Sequence, residues 1–397
     1  MRSPNWLQVA LLTEDWRNGG FGLYLHWPFC QSKCPYCDFN SHVSNNVDQK
    51  RWLSAFQSEI ARYGALTEGR VLNSIFFGGG TPSLMHPDTV AGILKTTHDT
   101  WVWANDIEIS LEANPTSIEA DKFKAFRDAG VNRVSMGMQA LNDADLKRLG
   151  RLHSVADGKR AFDIARATFD RVSFDLIYAR QDQTLHDWEA ELTEALSMAV
   201  DHLSLYQLTI EGGTAFGDRY DRGLLRGLPS DDVAADLFDV TQDLCDANGF
   251  AGYEVSNHAK NGAISKHNMI YWAYGDYVGI GPGAHGRLTL SGVKMATTTP
   301  LMPNEWLEQV EGVGSGDASC DTLSEEDQTT EKLMMGLRTT DGVSLARIPS
   351  LTQKAEFLNK INALQDLRFL QGGVDKITVS RKGKPVLNAI LRELLVD

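Results

Sequence analysis

The sequence predicts an α/β protein: a partial (β/α)6 barrel followed by a small helical, winged-helix-like C-terminal domain. Two observations predict the barrel. Six short β-type runs alternate with segments of helical period, the pattern of a parallel sheet with right-handed crossovers. Distinctive polar residues recur just past these runs, where parallel β/α folds gather their sites. A third observation predicts the appendage, because after Arg287 the alternation stops. Six units suit an open barrel better than an eight-fold one, with a doubly wound sheet as the alternative.

The elements follow in order. Residues 1–20 read as an N-terminal extension whose one apolar stretch, Leu7–Leu12, is broken by Gln8 and too short for a secretory segment. The β-type runs are Tyr24–Trp27, Ser74–Phe77, Ile107–Leu111, Arg133–Met138, Arg171–Ile177 and His202–Leu208. Between them Leu53, Phe56, Ile60 and Tyr63, then Leu185, Trp188, Leu192 and Leu196, repeat at helical spacing. The barrel is expected over residues 21–290 and the C-terminal domain over 291–397. Within the latter, Gly312–Asp321 reads as a loop, and Ser324 with Asp327 as a capping box for a helix reaching about Leu337. A helix across Gln353–Phe369 is expected next. Then come Ile377–Ser380, a basic turn at Arg381–Lys384 and Val386–Leu387 as a hairpin, before a last short helix.

Composition narrows the class. Of 397 residues 42% are hydrophobic and 23% charged, which excludes a disordered, collagen-like or fibrous chain. Lys and Arg number 38 against 52 Asp and Glu, a net charge of −14. That balance opposes bulk electrostatic binding of nucleic acid. The tail is acidic too, so its basic turn reads as a solvated tip, and an RNA-modifying role is disfavoured. No run has the length of a membrane span. The expected location is the cytoplasm, where thiols stay reduced.

Cys30, Cys34 and Cys37 form C-x3-C-x2-C within eight residues. A disulfide would leave one thiol over, and structural zinc wants a fourth ligand, for which His26, Asp38 or His42 could serve. A [4Fe–4S] cube held by three thiolates leaves one iron open to a small chelating molecule. The spacing favours the cluster. Cys245 and Cys320 lie far off without a partner motif and read as a buried small hydrophobe and a loop thiol.

The motif, with Tyr36 before the last cysteine, resembles the signature of radical S-adenosylmethionine (SAM) enzymes. The resemblance runs from about Gly22 to Gly286. Tyr24-Leu-His-Trp-Pro-Phe-Cys30, Gly78-Gly-Gly-Thr-Pro82, Ser135-Met-Gly-Met-Gln139 and Asp175-Leu-Ile-Tyr178 resemble its coproporphyrinogen-oxidase-like branch. The resemblance implies that SAM binds the open iron and that an electron cleaves it to methionine and a 5′-deoxyadenosyl radical. It implies that Tyr24, Tyr36, Gly78, Gly79, Thr81, Glu112, Gln139, Arg151 and Asp175 line the SAM pocket, with Thr209 as a weaker candidate. The chemistry agrees: glycines admit close backbone approach, carboxylates and an amide suit ribose hydroxyls and a sulfonium, and Arg151 suits a carboxylate. Judged singly, each could equally cap a helix or close a loop.

Two branches share these motifs. The oxygen-independent coproporphyrinogen III dehydrogenase carries a further cysteine two positions after the third, where this sequence has Phe39. The marks of the HemW-type haem chaperone are present: Cys37-Asp-Phe-Asn-Ser-His42, Tyr253-Glu-Val-Ser-Asn257, His267-Asn-Met-Ile-Tyr-Trp272 and Gly279-Ile-Gly-Pro-Gly-Ala-His-Gly286. The resemblance therefore implies a haem chaperone, with the dehydrogenase as the alternative. His267 is expected as a metal ligand to haem iron, and Tyr271 and Trp272 as flat surface for the porphyrin; His258 and His285 are alternative ligands. Implied partners are haem, SAM, acceptor haemoproteins and a one-electron donor, with no nucleic acid; a homodimer and transient membrane association are further options. The sequence departs from relatives in Tyr178-Ala-Arg-Gln-Asp-Gln-Thr184, which lacks a Pro-Gly turn, and in Glu211-Gly-Gly-Thr214, where proline is usual.

Overall fold

The computed structural model describes residues 15–44, 46–116, 120–373 and 375–395; the Leu7–Leu12 stretch lies outside them. All six β-type runs are strands: β1 Phe21–Trp27, β2 Val71–Gly79, β3 Val102–Ala113, β4 Arg133–Gln139, β5 Arg171–Tyr178 and β6 His202–Gln207. They pair in parallel in chain order. The crossovers carry α1 Gln49–Leu66, α2 Pro87–Thr100, α3 Phe123–Ala129, α4 Val155–Thr168 and α5 Leu185–Met198, and α6 Asp231–Ala247 packs on α5. Three of these helix starts show the chemical reason plainly. Asp48 accepts the N–H groups of Lys50 and Arg51 at 3.1 Å, and Ser154/Asp157 and Thr184/Asp187 form capping boxes. Of the spaced residues of α1, Phe56, Ile60 and Tyr63 are buried, each contributing about 1.5–3 kcal/mol, while Leu53 is only partly buried and its neighbour Trp52 is buried instead.

The sheet is larger than six strands. β7 Ala251–Gly252 and β8 Asn257–Ala259 continue it beyond β6, antiparallel. On the other side β9 Asp276–Ile280 joins β1 in parallel, Phe21 opposite Asp276 through Leu25 opposite Ile280. β10 His285–Leu290, β11 Val293–Thr298 and β12 Ser319–Thr322 follow antiparallel. A domain boundary between 290 and 291 therefore falls inside the β10–β11 hairpin. The first hydrophobic core runs on to Val310 and the second begins at Leu333, so the chain divides near Leu323.

The second core joins α8 Glu325–Gly336, α9 Ala355–Asp366 and α10 Leu387–Leu395 to a three-stranded antiparallel sheet of β13 Val343–Ser344, β15 Lys376–Val379 and β14 Leu370–Gly372. The capping box at Ser324 and Asp327 is present. The expected basic hairpin is not. β15 pairs backward with β14, and Arg381–Val386 is a 3-10 helix. Ser380 decides this by accepting the N–H of Gly383 at 3.1 Å, which turns the chain into a helix.

The two ends of the barrel differ. A short helix, α7 Lys266–Trp272, packs against the amino-terminal halves of β1 and β2. Glu108 of β3 accepts the His267 N–H at 3.2 Å and the Ser265 hydroxyl at 3.3 Å, and pairs with Arg171 at 3.0 Å. At Gly22 a Cβ would stand 3.0 Å from Ile270 of this helix. The amino end is thus closed by side chains, and the carboxyl end is left for a site.

Candidate functional site at the barrel mouth

The cysteines lie on a loop between β1 and α1. It is pinned where Phe29–Cys30 pairs with His42–Val43 and where the Gly80 and Thr81 N–H groups donate to Trp27 and Phe29 carbonyls at 2.7 and 2.9 Å. Gly150, at φ 69°, lets Pro35 approach where a Cβ would stand 2.6 Å away. All five cysteines are free thiols. Cys30, Cys34 and Cys37 all face a cavity of about 460 Å³ at the carboxyl ends of the strands.

Most of the SAM-pocket residues expected from the sequence line that cavity: Tyr36, Gly79, Thr81, Glu112, Gln139, Arg151, Asp175 and Thr209. Several of them are bonded to one another. The Tyr36 hydroxyl donates to Gln139 at 2.6 Å, and the Gln139 amide reaches both Asp175 oxygens at 2.9 and 2.8 Å. Gln139 has φ 66°, a left-handed conformation that turns its side chain out of the strand. Glu112 accepts the Gly79 N–H at 3.2 Å. Arg151 donates to Asn114 at 2.7 Å and to the Gly137 carbonyl at 2.9 Å, and lies 3.5 Å from the Cys34 sulfur. Thr81 lies 3.5 Å from the Cys30 sulfur. Thr209 is exposed and bonds only the Gln207 carbonyl among the described contacts.

Tyr24 and Gly78 stand just behind the wall. The Tyr24 hydroxyl shares a 2.9 Å hydrogen bond with His26 Nδ1, whose Nε2 meets the Asn40 carbonyl at 2.9 Å. The glycines leave room for these rings: a Cβ at Gly78 would lie 2.8 Å from Tyr24, and one at Gly79 2.7 Å from His26. Their smallness admits aromatic packing under the cavity floor, where sequence reasoning invoked contact with the ligand.

Electrostatics mark the cavity. Burial, with the Asp175 charge, pushes Glu112 up to about 8, and burial pushes Asp175 up to about 6 against the pull of Arg151 and Gln139. At neutral pH Glu112 therefore keeps a proton that a cationic ligand would displace, while Asp175 is largely ionised. These residues fit the implied groups. Three unbridged thiols share one cavity beside an arginine and a hydroxyl that suit anionic sulfur. Carboxylates, an amide and a guanidinium surround the remaining space, as a sulfonium amino acid requires.

His267 does not fit a haem iron. Its ring is 1% exposed, with Nδ1 2.8 Å from the Ser74 hydroxyl and Nε2 2.7 Å from the Tyr271 hydroxyl. Phe76 stacks on it at 4.8 Å. Burial, then Arg133, lowers it to about 3, so it is neutral. Both nitrogens are engaged at the closed end of the barrel, and the ring ties β2 to α7. Tyr271 packs edge-on to Tyr277 at 4.4 Å, and Trp272 is partly buried on the same helix. None of the three lines the mouth cavity.

The sequence reading missed Asn114, which joins Thr81 at 3.1 Å to Arg151, and Asn40. Asn114 follows the last residue of β3, close to where Gln139 ends β4, and could have been found by that near-equivalence. The departed loop after β5 is held differently from a Pro-Gly turn. Ala179 and Asp182 both take φ 57°, and buried Arg180 pairs with Glu191 and, at 3.0 Å, with Asp145.

The sequence model of the radical SAM superfamily matches residues 24–195, and that of the HemN C-terminal domain matches 323–386. The heme chaperone HemW of Escherichia coli is 39% identical over 74% of this chain and 79% of its own. The mitochondrial radical S-adenosyl methionine domain-containing protein 1 of Mus musculus is 41% identical over 81% of this chain and 74% of its own. The chain belongs to the HemW family of radical SAM proteins. As a radical SAM protein it takes a [4Fe–4S] cluster and SAM. Among solved structures, coproporphyrinogen III oxidase (HemN) from Escherichia coli superposes with a TM-score of 0.80 at 21% identity. The match spans 100% of this chain and 94% of that one. The HemW-family chain thus shares the HemN fold, including the C-terminal domain.

Proposed function

We propose that this protein is a haem chaperone that binds a [4Fe–4S] cluster, SAM and haem and delivers haem to acceptor haemoproteins. Its similarity to HemW, at 39% identity over 74% of the chain, carries the reading. Phe39 supports it: where the dehydrogenase branch has a further cysteine, this side chain is 58% exposed and lines the cavity.

In this reading Cys30, Cys34 and Cys37 hold the cluster. Arg151 and Thr81 face its sulfurs, while Tyr36, Gly79, Glu112, Gln139 and Asp175 receive SAM over a floor made by Tyr24 and Gly78. When bound, the cluster supplies single electrons to SAM, so a one-electron donor belongs to the proposal. We assign the protein to the cytoplasm, a reducing compartment that keeps such thiols unoxidised. Assembly as a homodimer and transient contact with a membrane at hand-over are parts of the same reading. Among the described residues no helix is long and apolar enough to cross a membrane.

The test incubates anaerobically reconstituted protein with haem, SAM, a reductant and an apo-haemoprotein, following haem transfer and deoxyadenosine together. Transfer to the acceptor is expected, and Cys30→Ala, Cys34→Ala or Cys37→Ala should remove iron and the brown chromophore. Decarboxylation of coproporphyrinogen III with SAM consumption, without haem transfer, would establish the dehydrogenase instead.

A further inference from the structure

Two of the three clustered cysteine sulfurs meet a donor from outside their own loop. The Thr81 hydroxyl, just past β2, donates to Cys30 Sγ, and Arg151 Nη1, ahead of α4, to Cys34 Sγ, each at 3.5 Å. Backbone contacts fix both donors. The Thr81 N–H is held by the Phe29 carbonyl at 2.9 Å. At Gly80 a Cβ would stand 3.0 Å from the Cys30 sulfur, so the chain passes this close only without a side chain. Arg151 Nη2 donates to the Gly137 carbonyl at 2.9 Å, and a Cβ on Gly137 would stand 3.2 Å from that nitrogen.

One side chain joins the two donors. Asn114 Nδ2 donates to Thr81 Oγ1 at 3.1 Å, and Asn114 Oδ1 accepts from Arg151 Nη2 at 2.7 Å. This needs an amide, which offers a donor and an acceptor from one short side chain. A hydroxyl has a single proton. Because the Thr81 oxygen accepts from Asn114, its proton is left for the Cys30 sulfur. A carboxylate at position 114 would still accept from Arg151, but it would draw the Thr81 proton to itself and take the donor from Cys30.

Hydrogen bonds to the sulfurs help to set the potential of an iron–sulfur cluster. Such bonds are stronger to an acceptor with more negative charge, so they favour the reduced state. We propose that Asn114 is a positioning residue for the cluster. It aims the Thr81 hydroxyl at Cys30 and the Arg151 guanidinium at Cys34, and so raises the potential at which the cluster accepts an electron. The proposal rests on the assignment of the cluster to Cys30, Cys34 and Cys37, and holds whatever the protein does with haem.

The test is a potentiometric titration of the full-length, anaerobically reconstituted protein without SAM, followed by EPR of the reduced cluster. Iron content and circular dichroism are recorded for each variant. Asn114→Asp is expected to shift the one-electron equilibrium tenfold or more towards the oxidised form, a fall of about 59 mV or more in the midpoint. Asn114→Ala, which adds no charge, should lower the midpoint too, and by less in a Thr81→Val background, since part of its effect runs through the hydroxyl. A merely structural asparagine would alter iron content or melting and leave the midpoint of the iron-replete fraction in place. Thr81→Val alone, which keeps the shape and removes the proton, decides the matter if substitutions at 114 cost the fold, and its midpoint should fall. A wild-type midpoint in iron-replete Asn114→Ala, or in Thr81→Val, would overturn the proposal and leave the cluster assignment standing. Wild-type protein that takes up no iron would overturn the assignment itself.

Discussion

Glu112 and Asp175 give the site its pH dependence. Both hold protons in the folded protein, to about pH 8 and about pH 6, that the unfolded chain releases near pH 4. The native state therefore binds more protons across that window, and stability of the ligand-free protein falls as pH rises from about 4.5 towards 8. A sulfonium favours the carboxylate forms, so SAM affinity should rise over the same range. Thermal melts between about pH 5 and about pH 8, with and without SAM, measure both, and Glu112→Gln should remove most of the slope; an unaltered slope would put the titration elsewhere. At this scale much of the site was legible. Glu112, Gln139 and Asp175 stand at equivalent strand ends, and the cysteines at cluster spacing. His267 was not, because the motif that marks it says nothing of Ser74, 193 residues away in sequence, which occupies its Nδ1.

Elements were legible where period and punctuation coincide, as in the six strands and the capping box at Ser324. β9 was missed because Tyr277–Ile280 is a short run with no crossover helix after it, so nothing local separates a parallel strand from a loop. The basic hairpin failed for the opposite reason: strand-like residues flank a turn that Ser380 caps into a 3-10 helix. The loop after β5 gives a quantitative check. Removing Arg180 leaves Glu191 buried without its cation, so Arg180→Ala should cost about 3 kcal/mol in urea denaturation. Ala179→Gly, which relieves a left-handed residue, should gain about 1 kcal/mol. The reverse order would mean that the loop is held by its backbone and not by the ion pair.

At the scale of the whole molecule, polar contacts among the described residues tie the smaller C-terminal core to the barrel. Glu331 of α8 accepts from the Tyr274 hydroxyl at 2.8 Å and pairs with Arg287 at 2.8 Å. Arg347 donates to the Ala273 carbonyl at 2.9 Å, and Thr340 N–H to Tyr253 at 3.1 Å. Glu331→Ala should loosen the smaller core from the barrel. Calorimetry should then resolve a separate lower transition, about 4–8 °C down for each kcal/mol lost in a domain of this size; a single unshifted transition would show that the domains are joined by packing alone. The division near Leu323 was hidden in the sequence because β10, β11 and β12 carry the barrel sheet past the end of its repeating units.

The plug that α7 makes carries a consequence for traffic. With one end of the barrel stoppered by packed side chains, a small molecule held among the strand ends would come and go on the side of the cysteine loop. Anything larger that settled across that loop would cover it, so the order of loading would set the order of release.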